Sequence, residues 1–217
     1  ASLPSAGVGK LKVREAVNVL GTEAEKDLLA PAVPFYADLA KMMVEKQMSV
    51  DLFLGAAQYT DVATLSSLVQ TSGGQLFYYP SFQSNAPCAE ALYGDIYHVL
   101  TRETGFEAVY RVRVPQGAKI SVFHGNFCLS NTDLMVIPVC HSDMTVVLEI
   151  SLESVLNMPC FPIQGALLYT TARGERRIRV HTLSIPISNV LNHLFERVNQ
   201  DAITAAVMQL GRRGVWA

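Results

Sequence analysis

Arg111 and Arg113 stand two residues apart in the segment Gly105 to Phe127, GFEAVYRVRVPQGAKISVFHGNF. If this segment opens as a strand, Phe106, Ala108, Tyr110, Val112 and Val114 share one face and Glu107, Val109, Arg111 and Arg113 the other, because successive strand side chains point to opposite sides. Two guanidinium forks then project from one face, and such forks grip a carboxylate through paired N–H donors. Placed beside an apolar pocket that takes a Leu or Met side chain, they describe a receptor for acidic-hydrophobic peptides. Arg177 and Arg179 in ERRIRV repeat the spacing. The competing explanation is that exposed strand faces are commonly charged without any role, and an isolated surface pair contributes only about 0–1 kcal/mol.

Other chemistry is harder to support. Ala6-Gly7-Val8-Gly9-Lys10 resembles a phosphate loop only superficially. That loop needs a Gly five residues before the Gly of its Gly-Lys pair and a Ser or Thr after the Lys, and these positions hold Pro4 and Leu11. Cys140 and His141 with His124 or Asp143 match no recognised metal-ligand spacing, so a loop histidine is the better reading. His181 is explained by packing or a surface hydrogen bond. A DxSxS metal-holding strand end is missing, since Asp51 in VDLFLG stands alone. No Ser/His/Asp or Cys/His set announces itself.

Composition narrows the setting. With 217 residues, half of them apolar, the chain can bury a substantial core as one large or two small domains. Seventeen basic residues against nineteen acidic ones, net −2, give no global field for nucleic acid or an anionic membrane, so electrostatic recognition has to be local. Cys88, Cys128, Cys140 and Cys160 stand far apart without a CxxC pair, which favours reduced thiols in a cytosolic protein. No apolar run approaches the roughly 18 residues that cross a bilayer, and the first ten residues lack a signal-peptide core, so a soluble protein is expected. A start without Met and an abrupt end at GRRGVWA suggest a piece of a longer chain.

The elements that would position the arginines follow from periodicity. Ala1 to Leu20 reads as an irregular lead-in. A helical stretch begins at Thr22, Pro31 and Pro34 punctuate it, and a second helix carries Phe35, Leu39, Met42 and Met43. MSVDLFL is a buried strand, Asp61 caps the helix VATLSSLVQ, the Gly73-Gly74 pair stops it, and QLFYY is a second strand. Asn85 to Glu103 reads as a helix with the stripe Ala91, Leu92, Ile96, Val99 and Leu100. Alternating helices and strands imply a parallel α/β sheet, here only part of one. From VYRVRV through KISVFHG, NFCLS, LMVIPV, TVVLEISLE and GALLYTT to RIRVHTLSI, the chain is almost all strand, which fits a β-sandwich. Arg173-Gly174-Glu175 is expected as a tight hairpin turn. Pro186 ends the last strand, Ser188 is expected to cap a helix, and Val190, Leu191, Leu194, Phe195 and Val198 recur at helical spacing.

The run VDLFLGAAQYTDVATLSSLVQTSGGQLFYYPSF, followed by LTRETGFEAVYRVRV, FHGNFCLSNTDL, GALLYTT and GERRIRVHTLSIP, resembles the cargo-adaptor subunit of the inner COPII vesicle coat, the Sec twenty-four family. The resemblance covers nearly the whole chain in the family's order. It implies an α+β multidomain fragment: the C-terminal half of a von Willebrand-type α/β trunk over 1–104, an antiparallel β-sandwich over 105–185, and the start of an all-α helical domain over 186–217. A zinc finger upstream and a gelsolin-like domain downstream are implied outside this chain, so no cofactor is expected within it.

Functionally, the resemblance implies no enzyme but a coat adaptor that joins the GTPase-activating coat subunit as a heterodimer. Such an adaptor selects cargo and SNARE fusion proteins for endoplasmic reticulum to Golgi transport by their cytosolic sorting signals. It is cytoplasmic, peripheral on COPII vesicles and endoplasmic reticulum exit sites through the assembled coat, and binds no nucleic acid. One family pocket, for acidic and Leu-rich signals, carries over by position to Arg111, Arg113 and Leu167; Arg177 and Arg179 receive no cargo role. The alternative is an α/β hydrolase or a nucleotide-using enzyme, which would need titratable groups converging in a cleft.

Overall fold

The computed structural model describes residues 3–14, 19–83 and 87–212. The expected helix start at Asn85 lies outside the described residues. A 3-10 helix over Glu23–Leu29 leads to α1 (Phe35–Glu45), which buries Tyr36, Ala40 and Val44, one residue per turn, on one side. β1 (Leu52–Ala56) and β2 (Leu76–Pro80) pair in parallel, Leu52 opposite Leu76 and Ala56 opposite Pro80, around the crossover helix α2 (Val62–Ser72). Short-range chemistry fixes α2 at both ends. The buried Asp61 carboxylate accepts from Thr64 N at 3.0 Å, from the Thr64 hydroxyl at 2.8 Å and from Arg14 Nη2 at 2.7 Å. Gly73 takes a left-handed φ of 81° at the other end. At Gly74 a side chain is impossible, because a Cβ would sit 1.9 Å from Val50 O.

The α/β sheet has these two strands among the described residues. α3 (Pro87–Thr101) therefore has little to cover: it buries no residue, and Leu100 of its anticipated stripe is 77% exposed.

The sandwich follows. Its larger sheet runs β5 (Cys128–Ser130), β6 (Leu134–His141), β3 (Thr104–Arg113), β8 (Cys160–Thr171) and β9 (Arg176–Pro186), antiparallel throughout. β4 (Ala118–His124) and β7 (Val147–Leu152) pair as a second layer. Side chains from both layers meet in one core, where Ala108, Val112, Met135 and Ile137 of the larger sheet pack with Phe123 and Phe127, and Ile120 and Leu148 close on them. The hairpin between β8 and β9 closes as expected, Thr171 N donating to Glu175 O and Gly174 at a φ of 84°.

After β9 come two helices, α4 (Leu191–Glu196), within the stretch anticipated as helical, and α5 (Gln200–Arg212). Ser188 accepts from Val190 N through its hydroxyl, but Val190, in an extended conformation, is the residue that precedes the helix. A serine two residues before the N-cap position makes a local turn rather than a cap.

Polar contacts join the α/β part to the sandwich. Arg102, with its side chain 4% exposed, donates to Gln75 Oε1 at 2.5 Å and to Asp143 at 3.2 Å, and lies 3.6 Å from Asp51. His98 Nε2 is 2.7 Å from Asp143 Oδ2, and Asn126 Nδ2 donates to Gly74 O at 2.8 Å. The FHGNF run thus has a structural role, in which Asn126 pins the sandwich to the turn that ends α2.

Candidate functional site

β3 is the central strand, and from Ala108 to Arg113 it alternates as expected, with Ala108 and Val112 buried and Arg111 and Arg113 exposed. The simple alternation fails nearer its start. The pairing with β8 shifts between Phe106 and Val109, and Glu107 adopts a φ of 51°, so the strand is bulged there. Val114, assigned to the inner face by alternation, falls beyond the strand's end at Arg113.

The register decides what stands beside the arginines. Directly opposed residues of an antiparallel pair share a face. Arg111 stands opposite Ala166 and Arg113 opposite Gln164, whereas Leu167 stands opposite Tyr110. Leu167 therefore points away from the arginines and packs against the sandwich core. The expected triad of Arg111, Arg113 and Leu167 does not form: the first two share a face and Leu167 occupies the other. The leucine on the arginine face is its neighbour Leu168, opposite Val109 in β3 and Ile178 in β9. Ala166 and Val180 continue the strip. Ile178 and Val180 are 69% and 55% exposed, so an apolar track of Val109, Leu168, Ile178, Ala166 and Val180 lies open beside two guanidinium groups.

Charge on this face is unevenly shared. Arg111 donates from Nε to Asp133 Oδ2 at 2.7 Å, and its Nη2 lies 2.7 Å from the same oxygen. Arg176 pairs with Glu107 at 3.3 Å and donates to the Thr170 hydroxyl at 2.8 Å. Arg113 has no acidic partner among the described residues.

Arg177 and Arg179 stand opposite Tyr169 and Leu167, on the inner face. There they border an open groove of about 950 Å³ between the end of α3 and the sheet, floored by Tyr110, Leu167 and Tyr169. The two arginine pairs thus serve opposite sides of one sheet.

The other motifs resolve into structure. The Gly7–Lys10 turn packs on α1: a Cβ on Gly9 would meet the Phe35 ring at 2.7 Å, and Gly9 O accepts from the Tyr36 hydroxyl at 2.6 Å. His141 is buried with both ring nitrogens unpartnered, its Nδ1 3.9 Å from Asp143; burial and the nearby Arg102 charge push its pKa down. Asp143 is held below the usual carboxylate range, chiefly by its hydrogen bond with His98. No group of three or more His, Cys, Asp or Glu side chains among the described residues is arranged to hold a metal ion. No helix among them is long and apolar enough to cross a membrane.

Residues 1–98 match the Sec23/Sec24 trunk domain and residues 105–188 the Sec23/Sec24 beta-sandwich domain. Protein transport protein SEC24 of Dictyostelium discoideum is 38% identical over 210 residues, covering 96% of this chain and 21% of the relative. The chain belongs to the Sec24 branch of the Sec23/Sec24 family. Human protein transport protein Sec24A is 40% identical over 212 residues, 96% of this chain and 19% of its own length. The crystal structure of the human COPII-coat protein Sec24c superposes with a TM-score of 0.87 at 36% identity, covering 95% of this chain and 27% of that one. The chain thus spans about a fifth of the length of the Dictyostelium and human Sec24A relatives, 19–21%. Arg111 and Arg113 fall within the family's beta-sandwich domain.

Proposed function

We propose that this chain serves in a COPII coat adaptor that selects cargo and SNARE proteins leaving the endoplasmic reticulum, and that the outer face of the sandwich binds their cytosolic sorting peptides. The observation that carries the reading is the juxtaposition of Arg111 and Arg113 with the open apolar track through Leu168, Ile178 and Val180. A peptide carboxylate suits a guanidinium fork, and a neighbouring leucine side chain suits the track. Leu168 takes the part that the family resemblance gives to Leu167. Membership of a family whose relatives are protein transport proteins and include a COPII-coat protein supports the same reading.

The role is binding rather than catalysis. A short peptide on an exposed strand face buries little area, so each contact is weak, and many coat copies on one membrane raise the effective affinity. The GTPase-activating coat subunit is the proposed heterodimer partner, and membrane association is peripheral, through the assembled coat. The proposed division is 1–104 for the trunk part, 105–185 for the sandwich and 186–217 for the start of the helical domain.

The test is calorimetry on the full-length protein with a short peptide carrying a leucine and two acidic residues. Arg111→Ala with Arg113→Ala removes both guanidinium groups; because Arg111 is already paired with Asp133, the loss is about that of one exposed charge pair, a roughly twofold to fivefold weakening. Undiminished binding by the double variant overturns the assignment.

A further inference from the structure

The two arginines of the peptide face are unequal. Asp133 lies in the turn between β5 and β6, next to Leu134, which stands directly opposite Arg111 in the ladder. The strand register therefore delivers its carboxylate to Arg111, where one oxygen, Oδ2, takes both the Nε and Nη2 contacts at 2.7 Å. The pair remains open to solvent, the two side chains being 47% and 35% exposed. Arg113, on the same face two residues further along the strand, carries its charge with no acidic partner among the described residues. An incoming carboxylate meets a free cation at Arg113 and a nearly neutral ion pair at Arg111.

We propose that Asp133 is a specificity-determining residue of this site: an internal carboxylate that occupies Arg111 and limits what a second ligand carboxylate can add. The inference rests on the peptide-binding reading above. A ligand with one acid docks it on Arg113. When a second acid follows, it exchanges one carboxylate–guanidinium contact for another of the same kind and brings its own charge close to the displaced Asp133. The net gain is small, because the contact formed and the contact broken are alike. Asp133 thus keeps diacidic ligands from binding much more tightly than monoacidic ones, a property that favours release.

Two short leucine-containing peptides test this in the full-length protein, one with two acidic residues spaced two apart and one with the second acid replaced by its amide. Asp133→Asn keeps size and frees Arg111. It is expected to tighten the diacidic peptide about twofold to fivefold, the worth of one exposed ion pair, while changing the monoacidic peptide less than twofold. Adding Arg111→Ala to Asp133→Asn cancels the gain. In the unsubstituted background, Arg113→Ala costs the diacidic peptide more affinity than Arg111→Ala. Weaker or unchanged diacidic binding by Asp133→Asn overturns the inference and makes Asp133 a positioning group or a bystander. If Arg113→Ala and the double arginine variant leave both peptides bound as before, it is the peptide-binding reading itself that fails.

Discussion

Arg102→Met probes how the α/β part is joined to the sandwich. The guanidinium is almost fully buried and meets three partners on different elements: Gln75 before β2, Asp51 before β1 and Asp143 after β6. Methionine keeps much of the apolar stem but removes every donor. A hydrogen bond to a charged group contributes about 1.5–3 kcal/mol, and stripping a buried ion pair of one partner costs about 3–5 kcal/mol. Here Asp51 and Asp143 are 27% and 37% exposed, so water replaces part of what is lost. The expected loss is about 2–3 kcal/mol, or roughly 5–10 °C in Tm for a chain of this size. Thermal melting followed by circular dichroism reads the shift, and urea titration reads the free energy. Because the contacts bridge two packed units, the variant is also expected to broaden the transition. A loss below about 0.5 kcal/mol would refute the view that this cluster couples them.

The same junction gives a pH signature. His141 is pushed down by burial and by Arg102, so between its folded value and the ordinary ~6.5 the unfolded chain binds more protons. Its contribution is intact above about pH 6.5 and fades as pH falls below it. His141→Phe removes that fading, since neither ring nitrogen has a partner to lose, and comparing Tm at pH 7.5 and 5.5 checks it; an equal fall in both proteins contradicts it. Asp143 acts with the same sign lower in the acid range, its stabilisation present above the ordinary carboxylate value of ~3.9 and lost as pH falls through its lower folded value. Leu167→Ala is expected to lower stability by about 1–2 kcal/mol, a fraction of the 2–5 kcal/mol of a fully buried leucine, with peptide affinity unchanged. Calorimetry showing lost peptide binding at unchanged Tm would put Leu167 back in the site.

Much of this is legible in the sequence. Asp61 as a cap, Gly73 as a stop and Gly174 in a hairpin each follow from local chemistry, and all three sit where that chemistry requires. The arginine face is legible for the same reason: alternation is local, and the bulge at Glu107 lies before Ala108 rather than between the arginines. The apolar partner is not. Leu167 and Leu168 are adjacent, so one faces each side of the sheet, and which one joins Arg111 depends on pairing between strands more than fifty residues apart. The bulge adds a shift that no period of two contains. Asp133 is hidden likewise, since a turn residue gives no sign of which strand it will overhang. The stripe on α3 is plainly apolar, but what covers such a stripe is a matter of neighbouring elements, and the two described strands of its sheet do not supply them.

Sorting peptides are proposed to bind the outer face of the β3–β8–β9 sheet. Methyl NMR of the full-length protein, with Leu, Val and Ile labelled, reads that face directly during titration with the diacidic leucine peptide. Binding on that face is expected to shift Leu168, Ile178 and Val180 and leave Leu167 unmoved. Shifts at Leu167, with Leu168, Ile178 and Val180 silent, would place the ligand in the inner groove and contradict it.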